Sequence, residues 1–240
     1  MIQVKNVTKS FGSQVVLDNV SLHCERERST VILGRSGQGK SVLMKHFLGL
    51  LRPDSGDVLI DNKSILNFSR TQMLDLRKRF GYLFQDGALF DDMTVFENVS
   101  FPLREHTDYP EEKISECVNE KLALVGLENV ESKMPSELSG GMRKRVALAR
   151  AVVLNPEILL FDEPVTGLDP VMKKSVLELI YETKEKLKVT TVVITHDIRS
   201  SLFLADHLIV VDEGRIIFDG DVAGFEKSSI PLIKDFIKFD

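Results

Sequence analysis

Gly34-Arg35-Ser36-Gly37-Gln38-Gly39-Lys40-Ser41 is the stretch that most restricts what this chain can fold into. It meets every fixed position of G-x-x-x-x-G-K-[ST]. The apolar run Thr30-Val31-Ile32-Leu33 precedes it, and Val42, Leu43, Lys45, His46 and Phe47 continue it in a helical pattern. A strand, a glycine-rich turn and a helix in that order form the setting in which such a loop wraps a polyphosphate. Its glycines let successive backbone N–H groups turn inward at a helix N-terminus. Lys40 then reaches the β and γ oxygens as a point charge, and the Ser41 hydroxyl is a ligand for Mg²⁺.

The 240 residues have room for one large α/β domain or two small ones, and their composition is that of a globular protein. A net charge of −5 with acids and bases interspersed argues against a nucleic-acid footprint or a polybasic membrane anchor. The run Arg143-Lys144-Arg145 reads as a solvated helix face. Cys24 and Cys117 are isolated and suit a reducing compartment. The first residues lack the apolar core of a signal peptide, and no stretch approaches the ~18 apolar residues of a membrane span. The expectation is a cytosolic chain, served by another subunit for any spanning part.

Residues 2–25 alternate in the strand manner and break at Gly12-Ser13, which predicts an antiparallel sheet leading into the phosphate loop. Phe11 falls at that turn, where an exposed aromatic can stack on a base; the alternative is a core aromatic. Asp57–Asn62 reads as a strand returning to the same sheet. Capping boxes at Ser69–Gln72 and Thr94–Glu97 open two helices, the second interrupted by Phe101-Pro102. Glu111–Val125 reads as a long helix stopped by Gly126. Gly81-Tyr82-Leu83-Phe84 is a short strand ending at Gln85. The middle third is thus helical and its flanks alternate strand and helix, which puts subdomain boundaries near residues 86 and 155. From Ile158 the alternation resumes: a strand ending in Asp162-Glu163, a helix capped by Asp169-Pro170, a strand Thr190–Thr195, a helix Ile198–Leu204 and a hairpin. Ile230, Leu232, Ile233, Phe236 and Ile237 form an amphipathic pattern that reads as a packed terminal helix.

An apolar strand ending in Asp162-Glu163 supplies two acids with two roles. One holds the hydration shell of a metal, and the other polarises a water for in-line attack on a γ-phosphate. Leu138-Ser139-Gly140-Gly141, before a helix over Met142–Ala151, offers a hydroxyl and glycine N–H groups as a second anion site. Residues 86–99 carry more apolar side chains than a loop exposes. They read either as a groove for a permease helix or, through Leu89, Phe90, Val95 and Phe96, as the core of the helical subdomain.

Taken in order, Gln85, Ser139-Gly140-Gly141, Asp162-Glu163, Asp169 and His196 make a set that resembles the nucleotide-binding subunits of ABC transporters over nearly the whole chain. The resemblance implies a P-loop NTPase (RecA-like) α/β core, residues 1–85 and 155–240, with an N-terminal antiparallel β subdomain and an inserted α-helical signature subdomain, 86–154. It implies ATP with Mg²⁺, and Phe11 as the adenine-stacking aromatic. The Walker A loop would be Gly34, Arg35, Ser36, Gly37, Gln38, Gly39, Lys40 and Ser41, with Val42 following. Gln85 would be the Q-loop residue at Mg²⁺, and Ser139, Gly140 and Gly141 the signature. Asp162 and Glu163 would be the Walker B aspartate and catalytic glutamate, Asp169 the D-loop acid and His196 the switch histidine. Met142 stands where the family usually has Gln.

The same likeness implies a homodimer in which each signature closes over the other copy's Walker A loop, driving integral-membrane permease subunits from the cytoplasmic face of the inner membrane. The wording Gly87-Ala88-Leu89-Phe90-Asp91 with 97–105 is similar to the ATPases of the lipid-asymmetry (Mla, Mce-associated) phospholipid transporters. That likeness implies an Mce-type lipid-binding protein and a small STAS-type regulator as further partners. Two alternatives stay open: an importer ATPase for another small solute, and a soluble ABC-type ATPase acting on nucleic acid or ribosomes. The single cassette, the lack of a basic stripe and the short span between Gln85 and Ser139 weigh against the second. A non-catalytic ATP-binding regulator is disfavoured by the presence of both Glu163 and His196.

Overall fold

The computed structural model describes residues 1–85 and 87–239. Asp86, where a subdomain boundary and the start of the apolar loop were expected, and Asp240, the end of the predicted tail, lie outside the described residues. In chain order the elements are β1 (Ile2–Phe11), β2 (Gln14–Cys24), β3 (Ser29–Leu33), α1 (Lys40–Phe47), β4 (Ser55–Ile60), β5 (Lys63–Ser64), α2 (Arg70–Lys78), β6 (Phe80–Leu83), α3 (Val95–His106) and α4 (Glu111–Leu124). They continue with α5 (Gly140–Val152), β7 (Ile158–Asp162), α6 (Pro170–Leu187), β8 (Thr190–Thr195), α7 (Ile198–Leu204), β9 (His207–Asp212), β10 (Arg215–Gly220), α8 (Val222–Glu226) and α9 (Pro231–Phe239). The chain divides into two units, Met1–Arg77 with Thr190–Asp240, and Lys78–Val189.

In the first unit the expected antiparallel sheet has the order β2-β1-β4-β5, with Val4 opposite Leu22 on one side and Val58 on the other. Its alternation puts Ile2, Val4, Val7, Leu17, Val20 and Leu22 inside. The strand after the loop helix starts at Ser55 and stops at Ile60. Asp61 and Asn62, both at positive φ, then turn the chain into β5. A second set of strands has β3 parallel to both β8 and β9, with β10 antiparallel to β9. β3 and β8 are buried along their whole lengths, as parallel strands covered on both faces are. Leu33, Leu208 and Val210 pack with Ile198 of α7, Phe225 of α8 and Ile233 of α9. The terminal helix is therefore packed, as its periodicity implied.

In the second unit β6 and β7 pair in parallel, and α3, α4 and α5 bury Val95, Val99, Leu103, Ile114, Val118, Leu122, Val146, Leu148 and Val152. The Thr94–Glu97 capping box forms in both directions: Glu97 N donates to Thr94 Oγ1 at 3.2 Å and Thr94 N to Glu97 Oε2 at 2.7 Å. Those bonds hold the Glu97 carboxyl below the usual carboxylate range. Contrary to expectation, Phe101-Pro102 does not interrupt this helix, and α3 runs on to His106. Pro102 removes one N–H from the ladder. The buried stripe Val95, Val99 and Leu103 and the capped first turn keep the segment helical on both sides of it.

The core reading of the apolar loop holds in part. Val95 is core and Leu89 and Phe96 are half-buried, whereas Phe90 remains 40% exposed, its ring centroid 5.0 Å from that of Phe101. Buried Asn98 fixes the loop by accepting from Phe90 N at 2.8 Å and donating to the carbonyls of Phe90, Met93 and Thr94. Replacing Asn98 by Ala strands those groups, so unfolding in urea is expected to show a loss of about 2 kcal/mol. A change within about 0.5 kcal/mol, the range of ordinary surface substitutions, would mean the amide does not hold the loop.

Candidate nucleotide site

Strand register builds the first half of the site. Leu33 lies opposite Thr195 in the parallel β3–β8 pair, and Gly34 N donates to Thr195 O at 3.3 Å. The phosphate loop and His196 therefore leave the sheet at the same edge. On the other side Leu33 pairs with Val210, and a Cβ on Gly34 would lie 2.4 Å from the Val211 carbonyl oxygen. Only glycine fits there. Gly39 caps α1 at φ +88, with Val16 O 2.7 Å from any Cβ, so it too has no substitute.

Lys40, only 6% exposed, donates to Gly34 O at 2.6 Å and Arg35 O at 2.9 Å, which folds the loop back around its ammonium. Ser41 is exposed at the next position, and Val42 is half-buried on the helix. The Gln38 amide oxygen accepts from Glu213 N at 2.5 Å, tying the loop tip to the β9–β10 turn. Gly34, Arg35, Ser36, His196 and Phe236 line a cavity of about 230 Å³. Asp197 caps α7 by accepting from Ser200 N at 2.8 Å, and that cap positions His196 beside it. Phe11 stands at the end of β1, 48% exposed, with the Lys9 ammonium 5.6 Å from its ring centroid. It is no core aromatic. The first unit thus brings together the loop and His196.

The second unit carries Gln85, the signature, the acidic pair and Asp169. Tyr82 pairs with Leu160 in β6–β7, so Asp162 lies two residues along the neighbouring strand on the same face. Tyr82 Oη donates to Asp162 Oδ2 at 3.0 Å. Burial, then the Asp162 charge, pushes the Tyr82 phenol well above its ordinary pKa, keeping it a donor. Glu163 follows at φ +50, outside the strand geometry, and Thr166 Oγ1 donates to its Oε2 at 3.0 Å. Ser139 caps α5 by accepting from Met142 N at 3.3 Å and retains its own proton for donation. The helix starts at Gly140, two residues earlier than expected, which places Gly140 and Gly141 in its first turn. Asp169 caps α6, accepting from Val171 N at 3.0 Å and Met172 N at 3.1 Å.

The run Arg143-Lys144-Arg145 is a solvated face only in part: Arg143 is exposed, Arg145 half-buried and Lys144 buried. Arg143 donates to Leu138 O at 2.8 Å, and Arg145 donates to Val125 O at 2.6 Å and to Ser175 Oγ at 2.9 Å. Buried Lys144 donates to the Gln85 carbonyl. Nearly two turns further on, Arg150 donates to Gly87 O at 2.8 Å and stacks over Phe90, its Cζ 5.6 Å from the ring centroid. Long aliphatic stems let these cations cross an apolar helix face to reach carbonyls. Sequence reasoning missed Lys144, Arg150 and Tyr82. The one legible signal was that basic residues fall among Val146, Ala147, Leu148 and Ala149, which are core.

The ABC transporter family profile matches residues 17–166, and the chain belongs to that family. It is an ATP-binding, ATP-hydrolysing subunit of the class that pairs as dimers and works with membrane permease components. Among its relatives, the intermembrane phospholipid transport system ATP-binding protein MlaF of Haemophilus influenzae is 42% identical over 99% of this chain and 90% of that protein. MlaF of Escherichia coli K12 is 40% identical over 99% and 88%. The probable ribonucleotide transport ATP-binding protein mkl of Mycobacterium leprae is 42% identical over 98% of this chain and 68% of that protein. Among solved structures, cbiO1 of Clostridium perfringens, part of the ABC transporter complex cbiONQ, superposes with a TM-score of 0.87 at 32% identity, covering 99% and 98% of the two chains. A dimeric ATP-binding cassette in a post-hydrolysis state with ADP and Pi gives 0.83 at 31% identity, covering 92% and 99%. Both bear out the expected ABC ATPase fold.

If Lys144 holds the chain at Gln85, Lys144→Met should speed amide exchange from Gly87 to Phe90 by about tenfold, with α4 unchanged. Equal exchange in the two proteins would remove that role.

Proposed function

We propose that this chain hydrolyses ATP to energise phospholipid transport through a separate membrane permease, as a homodimer at the cytoplasmic face of the inner membrane. The observation that carries the cargo is the match to two MlaF proteins along almost their whole lengths, where the mkl relative extends well beyond the chain. The second reading, transport of another small solute, rests on that mkl likeness. Among the described residues no helix is long and apolar enough to cross a membrane, so the spanning part of the reading falls to the permease. An Mce-type lipid-binding protein and a small STAS-type regulator complete the proposed assembly. Within the chain we take 86–154 as the signature subdomain, inserted between core segments 1–85 and 155–240.

In this reading Phe11 stacks on adenine, and the N–H groups of residues 34–41 and Val42 with the Lys40 ammonium hold the phosphates. Ser41, Gln85 and Asp162 offer a hydroxyl, an amide carbonyl and a carboxylate, hard oxygen donors that fit Mg²⁺. When bound, that ion neutralises charge on the β and γ oxygens. Tyr82 keeps the Asp162 carboxylate in one orientation. Glu163 accepts the proton of the attacking water, and His196 donates to the γ-phosphate. Ser139 with the N–H groups of Gly140 and Gly141 is presented by the second copy, spreading charge off the transferring group as a finger in trans does. Met142 uses its backbone N–H on Ser139, so that bond survives whatever its side chain is. Asp169 positions the first turn of α6 at the same seam.

Glu163→Gln keeps the shape and removes the base. Calorimetry should show ATP binding within about twofold of the parent, turnover should fall at least about a hundredfold, and gel filtration should show an ATP-held dimer. Unchanged turnover would reject the role. The cargo is tested by purifying the chain with its membrane partners and identifying the bound lipid by mass spectrometry. Phospholipid enriched over the bulk membrane is expected, and a complex carrying only bulk lipid would favour the small-solute reading.

A further inference from the structure

Four of the five residues lining the 230 Å³ cavity belong to the phosphate loop and the His196 segment; the fifth, Phe236, comes from α9 at the other end of the chain. Its ring centroid lies 5.9 Å from Arg35 Cζ, within the range at which a guanidinium is attracted to an aromatic face. The contact has a built foundation. Ile233, one helical turn before Phe236, is fully buried against Leu33 and Ile198, which directly precede Gly34 and follow His196 by two residues. The seat of α9 is thus the root of both segments that form the cavity. Arg35 is divided in two by its surroundings: its carbonyl accepts from Lys40 at 2.9 Å, and its exposed side chain turns to Phe236.

We propose that Phe236 is a positioning residue of the nucleotide site, holding the Arg35 guanidinium at the cavity so that Arg35 recognises the terminal phosphate of ATP. Position 35 is unrestricted in the loop motif, so the motif assigns it no task. A guanidinium offers paired donors that match phosphate oxygens, and an arginine already held on a ring face loses less freedom on binding than one swinging in solvent. The cavity beside it is walled by the loop whose carbonyls hold Lys40, the cation that reaches the β and γ oxygens. This inference rests on the reading of residues 34–41 as the phosphate loop.

The test is calorimetric titration of the full chain with ATP and with ADP, each with Mg²⁺, for Phe236→Leu, Phe236→Tyr, Arg35→Gln and the Phe236→Leu/Arg35→Gln double variant, all in the Glu163→Gln background. Phe236→Leu and Arg35→Gln should each weaken ATP binding by about two- to fivefold and leave ADP within about twofold. The double variant should be no worse than the weaker single, and Phe236→Tyr, which keeps the ring, should restore ATP binding. Equal losses for ATP and ADP, additive losses in the double variant, or failure of Tyr to rescue would overturn the proposal. So would tighter ATP binding by Phe236→Leu, which would mark the ring as a plug. Should Phe236→Leu unfold, Arg35→Gln and Phe236→Tyr still decide the matter. Lys40→Ala separates the two readings: if it binds ATP as the Glu163→Gln parent does, the phosphate-loop assignment itself fails. If only Lys40→Ala loses ATP, the roles of Arg35 and Phe236 alone fall.

Discussion

The parallel pairing of Leu33 with Thr195 is the constraint from which the first half of the site follows. Parallel strands in register end together, so a phosphate loop leaving one and a histidine leaving its neighbour arrive at one edge without any long-range search. The same register explains why Gly34 admits no side chain: the neighbouring strand β9 puts the Val211 carbonyl where a Cβ would be. Close approach of backbone to backbone brings the loop tip within reach of the β9–β10 turn, where Gln38 meets Glu213. Close backbone approach at Gly34 and the side-chain bonds of Gln38 and Lys40 to main-chain groups together give the loop its shape.

In the second unit a different device does the fixing. Helix α5 extends Arg143, Lys144, Arg145 and Arg150 to carbonyl oxygens of Leu138, Gln85, Val125 and Gly87. A cation donating to a neutral carbonyl forms a stronger bond than a neutral donor, and no carboxylate has to be buried with it. The helix that Ser139 caps is thereby fastened to the chain at Gln85 and at Gly87. Through Arg150, α5 is thus bonded to Gly87 and stacked on the exposed Phe90 ring.

Local signals carried most of the reading. The capping boxes at Ser69 and Thr94 and the cap at Asp169 depend on residues within a few positions of one another, and each forms as its spacing implies. What escaped depends on distant partners. Tyr82 looks like an ordinary strand aromatic until β7 lies beside it, and Lys144 looks solvated until the chain after β6 crosses α5. Pro102 reads as a helix breaker because its own chemistry is unfavourable there, and only the packing of Val99 and Leu103 outweighs it. Phe236 was legible as one face of an amphipathic helix, but not the cavity that this face would meet.

Glu163 holds a left-handed backbone conformation that costs a residue with a Cβ on the order of 1 kcal/mol. Thr166 returns to it twice, through its N–H to the Glu163 carbonyl at 3.3 Å and through its hydroxyl to the carboxylate at 3.0 Å. One residue therefore clasps both the main chain and the acid tip. A homologue that retained the acidic pair but carried alanine in place of this threonine would pass any inspection of its motifs, yet its glutamate would have lost the clasp that aims it.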